Sequence, residues 1–403
     1  MSGMDNIGAN GGKTDSGFRV VVAPDSFKGS LSSVEAAEAI RSGVMKAVSG
    51  AEVTIVPMAD GGEGTVDAVL AAAGGERLVV TVAGPLGEPV KAAYGVLHDG
   101  RTAVIEMAAA SGLPLLAADA RDPMAATTYG TGQLIRDALG RGATRILIGL
   151  GGSATNDGGM GMAQALGVRF LDENGREIAG HGCGRLLASV ASIDAAGIDP
   201  RLAGAEVTVL SDVTNPLCGP EGASAVYGPQ KGATPEMVDK LDSGLAHYAE
   251  RIAAHNGRLV RDVPGAGAAG GLGAGLLAFC NAELKPGIRV IMELAGFERA
   301  AEGASLVITG EGRTDGQTAF GKVPAGIADA AGRAGVPVVC LSGGLGEGSE
   351  ALYEHGIAAL FSIANRPMTL DEAMRGADTL LAEAAENIVR LYRAGMGRQS
   401  PIR

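Results

Sequence analysis

Carboxylates, glycines and cations return at one kind of place in this sequence, just after a short apolar run. "APDSFKGS" (23–30) closes a run of valines and sets Asp25, Ser26 and Lys28 side by side. "ADGGEGT" (59–65) brackets Gly61 and Gly62 with Asp60 and Glu63, then adds Gly64 and Thr65. "GLGGSATNDGG" (149–159) supplies Gly151, Gly152, Ser153, Asn156 and Asp157. "SDVTN" (211–215) carries Asp212 and Asn215, and "GEGRTDG" (310–316) carries Glu311, Arg313 and Asp315, with Lys322 close behind. Glycine lets backbone N–H groups approach an anion, and paired carboxylates suit a hard cation such as Mg2+. Lysine and arginine neutralise phosphate or clamp a carboxylate. This is equipment for phosphoryl transfer, which asks a protein mainly for positioning and charge neutralisation.

Each feature has an ordinary counterpart. A lone Asp after a strand is usually a turn residue or a helix cap; five loops of the same chemistry point instead to one polar site. Thr65 is placed to cap the helix that begins "VDAVLAAAG". Lys28, between a buried strand and a helix start, is the strongest anion-binding candidate. Arg313 could clamp a substrate carboxylate or pair within its own loop, and the sequence does not choose. Gly149-x-Gly151-x-x-Ala154 and "GAGAAG" (265–270) match dinucleotide fingerprints. The first runs into polar Thr155-Asn156-Asp157 where a helix belongs, and the second follows no strand. "IGANGGKT" (7–14) and "GQTAFGKV" (316–323) are incomplete phosphate loops, the second with Val323 where a metal-binding hydroxyl belongs. No Ser-His-Asp set or nucleophile elbow is present.

Elements must bring these loops together. Apolar runs at 19–25, 53–65, 145–159, 207–215, 306–315, 336–344 and 359–365 read as strands buried on both faces. Helical periodicity separates several of them: Ser32 with Glu35 forms a capping box ahead of Ala36, Ile40 and Val44, and 130–143 and 323–335 behave alike. Alternating strand and helix predicts right-handed crossovers and a parallel sheet, an α/β domain. Residues 77–108 hold three strands too close for crossovers, and "GVRFLDENGREI" (167–178) reads as a hairpin. These argue for antiparallel elements in an inserted α/β domain. The division expected is a flexible leader at 1–17, one domain from 18–76 and 286–403, and the inserted domain at 77–285. Residues 127–160 fit either, and 369–395 reads as one long closing helix.

Composition narrows the class. The chain has 403 residues, 46% hydrophobic but only 3% aromatic, so its core is built of Val, Ile, Leu and Ala. A net charge of -12 argues against a nucleic-acid partner. Cys183, Cys218, Cys280 and Cys340 lack metal-site spacing and read as reduced, buried thiols. No signal-peptide pattern and no membrane-spanning run occur, which points to a soluble cytoplasmic protein.

"APDSFKGSLS", "ADGGEGT", "VAGPLG", "IEMAAASGL", "GTGQLI", "GLGGSATNDGG", "SDVTNPL", "YGPQKGA", "VPGAGAAGG" and "ITGEGRTD", in that order over about 18–395, resemble the bacterial glycerate kinases of the type-1 family. The resemblance implies phosphorylation of D-glycerate to 2-phosphoglycerate with ATP and Mg2+. It also implies two α/β domains, one Rossmann- or flavodoxin-like and assembled from both chain ends, the inserted one likened to restriction endonucleases. Similar sequences often carry Ser where this chain has Gly316. On this reading Lys28 neutralises the transferring phosphate, Asp60 with Glu63 holds Mg2+, and one of Asp25, Asp212 or Asp315 takes the hydroxyl proton. Ser26, Asn215 and Arg313 would face glycerate; the glycine loops, Thr65, Ser153, Asn156 and Lys322 would face nucleotide phosphates. Competing readings are an NAD-dependent oxidoreductase of the same hydroxy acid and a hinged small-molecule sensor. Oligomeric state, a homo-oligomer included, stays open.

Overall fold

A computed structural model of the chain describes residues 17–319 and 321–396. The first sixteen residues, with the near-match "IGANGGKT", lie outside the described residues. In chain order the first strands are β1 (Arg19–Pro24), β2 (Glu52–Ile55), β3 (Gly75–Ala83), β4 (Pro89–Leu97), β5 (Thr102–Glu106) and β6 (Arg145–Gly149). They are followed by β7 (Glu206–Leu210), β8 (Glu283–Lys285), β9 (Leu306–Gly310), β10 (Val338–Ser342) and β11 (Ile357–Ser362). The helices that matter below are α1 (Ser33–Ala47), α2 (Thr65–Ala73), α3 (Tyr129–Gly140), α4 (Met160–Ala165) and α5 (Ala268–Phe279). Further along come α6 (Gly287–Leu294), α7 (Val323–Arg333), α8 (Leu370–Arg375) and α9 (Ala377–Met396).

Two sheets result. The first is wholly parallel, ordered β11-β10-β9-β1-β2, and draws its strands from both ends of the chain. The second is ordered β8-β7-β6-β5-β4-β3, parallel from β8 to β5 and antiparallel from β5 to β3. All seven apolar runs are strands, and the three close-set strands at 77–108 are the antiparallel half. Residues 127–160 join the second sheet through β6.

Strand alternation sorts side chains into layers. Val20 and Val22 of β1 pack with Ile40 and Val44 of α1 and Leu381 and Ile388 of α9. Val21 and Ala23 face the other way, onto one apolar layer with Val66 and Val69 of α2, Ile288 and Ile291 of α6, and Ile327 of α7. Val104, Leu147 and Leu210 of β5, β6 and β7 enter that same layer from the second sheet. Their neighbours Ile105, Ile146, Ile148 and Val209 face α3, α4 and α5. A shared helical layer therefore lies between the two sheets.

α1 begins as expected: Ser32 accepts the N–H of Glu35, and Glu35 accepts the N–H of Ser32. α1 meets α9 closely at Gly43, where a Cβ would lie 2.1 Å from the carbonyl oxygen of Ala382. Gly43→Ala is expected to cost about 2–3 kcal/mol by overpacking two helix backbones. Denaturant unfolding checks this; unchanged stability would mean that the helices slide apart freely.

One expectation needs correction. The closing helix is not continuous: Gly376 ends α8 and α9 starts anew. Thr369 and Glu372 form a capping box that starts α8, while the carbonyl of Met374 accepts the hydroxyl of Ser30, binding this turn to the Lys28 loop. The hairpin expected at 167–178 forms, if short: Leu171 bridges Glu177 antiparallel, the N–H of Ile178 donates to the carbonyl of Phe170 and that of Asp172 to the carbonyl of Arg176. Arg169–Leu171 also pairs antiparallel with Ser192–Asp194.

Candidate active site

Parallel sheets gather loops at their carboxyl ends, and both sheets here do so around one cavity of about 530 Å3. Lys28 reaches it from the loop after β1, Asp60, Gly61 and Gly62 from after β2, and Gln317 and Lys322 from after β9. The second sheet contributes Leu150, Gly151, Gly152 and Ser153 after β6, and Ser211, Asp212 and Val213 after β7. Leu113, Tyr227, Gln230, Lys231, Ala268 and Ala269 complete the wall.

Glycines make this convergence sterically feasible. Gly61 has φ of +96°, and a Cβ there would stand 2.7 Å from the carbonyl oxygen of Leu210. A Cβ on Gly149 would lie 2.2 Å from the carbonyl oxygen of Gly61, which itself accepts the N–H of Gly151 at 3.3 Å. The Asp60–Gly62 loop is thus wedged between the ends of β6 and β7, backbone on backbone.

α2 holds this loop in a way the sequence did not announce. Thr65 is not its cap: its hydroxyl donates to the carbonyl of Gly62 at 2.7 Å, and Gly64 occupies the cap position. Glu106, at the end of β5, accepts the N–H of Val66 at 2.7 Å and supplies the missing carboxylate. Burial raises the pKa of Glu106 above the ordinary carboxyl range.

Carboxylates crowd around Asp60: Asp60 and Asp212 line the cavity, while Asp25 does not. Burial and the charges of Asp60 and Glu311 push the Asp25 carboxyl up to about 8, against the N–H of Ser26, which donates to it at 2.6 Å. Burial and the charge of Asp60 push Asp212 up to about 7. One oxygen of Asp212 accepts the N–H of Gly287 at 3.1 Å; the other, Oδ2, is buried without a partner. Asp60 Oδ1 accepts the N–H of Gly62 at 3.0 Å. No group of three or more His, Cys, Asp or Glu close enough to hold a metal occurs among the described residues.

Other expected residues lie elsewhere. Glu63 is exposed and, like Gly64 and Thr65, does not line the cavity. Ser26 donates its N–H to Asp25 and does not line the cavity. Arg313 is 74% exposed and pairs with Asp315 at 3.5 Å within its own loop. Asp315 also accepts the N–H of Gln317, and neither Arg313 nor Asp315 lines the cavity. Asn156 is fully buried, donates to Ser224 at 3.0 Å and does not line the cavity. Asn215 works at one remove: it accepts the hydroxyl of Tyr227, a cavity residue, at 2.6 Å. Gly316 donates its N–H to Glu347 and is not on the wall, so a hydroxyl missing there removes no cavity contact.

The dinucleotide fingerprints fail structurally. After Gly149 the chain stays irregular until α4 starts at Met160, and "GAGAAG" packs as a kinked entry to α5. All four cysteines are free and buried. No helix among the described residues is long and apolar enough to cross a membrane.

Comparison with known proteins gives one consistent answer. The family described as the glycerate kinase family matches residues 20–393. A glycerate kinase of Halalkalibacterium halodurans is 52% identical over 369 residues, 92% of this chain and 97% of that protein. The glycerate 2-kinase of Escherichia coli K12 is 50% identical over 379 residues, 94% of this chain and 99% of that protein. A crystal structure from Salmonella typhimurium LT2, assigned as glycerate kinase 2, superposes with a TM-score of 0.84 at 48% identity, covering 94% of this chain and 99% of that one.

Proposed function

The chain belongs to the glycerate kinase family, and on that premise we propose that it transfers the γ-phosphoryl group of ATP to the 2-hydroxyl of D-glycerate in the cytoplasm, with Mg2+. Glycerate kinase activity is what the family and the whole-length relatives support. The observation that carries the finer reading is the cavity itself, where Asp60, Asp212, Lys28 and Lys322 meet two glycine loops from two sheets.

The carboxylates fit a divalent cation. The charge of Asp60 raises the pKa values of both Asp25 and Asp212, a crowding of negative charge that a cation relieves. Asp60, with Asp25 behind it, would hold Mg2+, the remaining positions falling to phosphate and water. Bound there, Mg2+ would offset phosphate charge. Glu63, exposed and off the wall, has no part in this assignment.

Asp212 is the group best suited to take the hydroxyl proton. It lines the cavity, keeps one buried oxygen unpartnered, and sits near the working pH of a general base. As the glycerate oxygen bonds to the γ-phosphorus, the bond to the β,γ-bridging oxygen breaks, ADP leaves, and Asp212 accepts the proton. Lys28 and Lys322 neutralise the phosphoryl oxygens while they move.

Lys28→Ala is expected to lower kcat about 20-fold, less than the 100-fold or more of a buried donor, because Lys28 is solvent-exposed. Steady-state assays check this, and near-normal turnover would remove Lys28 from the reaction. The proposed reaction is tested by incubating the protein with ATP, Mg2+ and D-glycerate and separating the phosphoglycerate isomers. 2-Phosphoglycerate is expected, and EDTA should abolish its formation; 3-phosphoglycerate or metal-independent turnover would overturn the corresponding part.

A further inference from the structure

Lys231 is a buried cation that the reaction above does not use. It closes the short turn Pro229–Lys231, is 1% exposed, and lines the cavity beside Leu113, Leu150, Ala268 and Ala269. An ammonium carries three donors. Lys231 Nζ makes one hydrogen bond, to the carbonyl oxygen of Thr155 at 2.7 Å, and no other partner is found among the described residues. The nearest acid, Asp157, accepts the N–H groups of Thr128, Gly159 and Gly161 and the hydroxyl of Thr128, and forms no ion pair with it. Desolvation lowers the Lys231 pKa to about 7, opposed by Asp157. A charge buried in apolar surroundings without a counter-ion is unfavourable unless an anion arrives.

The same carbonyl joins Lys231 to a strained turn. Ala269 has φ of +53°, followed by Gly270 at +66° and Gly271 at +86°. A Cβ on Gly270 would lie 1.9 Å from the carbonyl oxygen of Thr155, so only glycine lets this turn approach it. For Ala269, a left-handed backbone is strained, and the surroundings must hold it in place. Entered from the right-handed Gly267, such a turn is the geometry of a concave N–H nest for anions. The N–H groups of Ala269 and Gly270 have no acceptor among the described residues.

We propose that Lys231 Nζ and the N–H groups of Ala269 and Gly270 form a subsite for the carboxylate of the acceptor, a small 2-hydroxy acid. The inference rests on the reaction proposed above and assigns the acceptor's place in it. A single fixed ammonium with two N–H donors matches a two-oxygen monoanion. Nucleotide phosphates, with their greater charge, fall to Lys28, Lys322 and the metal site, on loops of the other sheet. The subsite is what would separate a hydroxy acid from a neutral polyol of the same size.

Lys231→Met keeps the side-chain length and removes the charge. The KM for D-glycerate should rise ~30-fold or more, as expected for losing a charged hydrogen bond, while the KM for ATP stays within ~3-fold. A purely structural loosening would raise both together and overturn the proposal, as would a rise for ATP alone or no change in either. Should this variant fail to fold, calorimetry on the wild-type chain decides. D-lactate should bind and (R)-propane-1,2-diol, its matched alcohol, should not; equal affinities would overturn the carboxylate subsite. Absence of D-glycerate turnover by the wild type would remove the proposed reaction, whereas lactate binding reads the subsite without turnover.

Discussion

Asp212→Asn should lower kcat about 1,000-fold, within the range for loss of a positioned general base, and leave the fold intact. Asparagine preserves the shape and the oxygen that accepts the N–H of Gly287. It also removes the charge that burial penalises. The folded-state pKa of Asp212 is raised to about 7 from an ordinary 3.8. The folded protein therefore binds the extra proton between those values, and the stability it confers is lost as pH rises through about 7. Above that pH the Asn variant should be at least as stable as wild type, so lost turnover could not be blamed on unfolding. The wild-type kcat/KM should fall as pH drops through about 7, where the base becomes protonated, and the residual activity of the variant should lack that limb. Stopped or coupled assays across pH, with thermal melts alongside, check both. Retention of most turnover would exclude Asp212 as the base.

Gly149→Ala is the second large effect expected. Its Cβ would lie 2.2 Å from the carbonyl oxygen of Gly61, nearly an ångström inside any tolerable contact. The β6 loop and the Asp60 loop must then separate, carrying Gly61 and Gly62 away from Gly151 and Ser153. Displacement of that order costs about 100-fold in a reaction governed by positioning. kcat/KM should fall at least that far, with a stability loss of about 1–3 kcal/mol from overpacking. Kinetics and denaturant unfolding measure the two separately. Full activity would show that the loops need not touch for the chemistry to proceed.

How much of this could be read beforehand depends on the range of the interaction. β1, β6, β7, β9 and β10 were legible because a strand buried on both faces is written locally, as consecutive Val, Ile and Leu. The Ser32–Glu35 cap was legible for the same reason, since its partners are three residues apart. Thr65 misled because a threonine at a helix start usually caps it; here a carboxylate 40 residues later, Glu106, does so through the sheet. The break at Gly376 is fixed partly by a bond between Met374 and Ser30, 344 residues apart. Lys231 stands in "YGPQKGA" with no role legible there, because its hydrogen-bond partner, Thr155, is 76 residues away. Among the candidate site residues, Asp60, Asp212 and Lys28 follow strands closely and reach the cavity, as does Lys322 from the start of α7. Arg313 and Asp315 share the motif but pair with each other, a choice between two nearby partners that sequence spacing leaves open.

Binding geometry tests the whole account most directly. In a crystal structure with Mg2+, a non-hydrolysable ATP analogue and D-glycerate, the metal and phosphates should lie between Asp60, Lys28 and Lys322. The glycerate should have its 2-hydroxyl toward Asp212 and its carboxylate on Lys231. Nucleotide and glycerate bound away from this cavity, with Asp60 and Asp212 touching neither metal nor substrate, would contradict it.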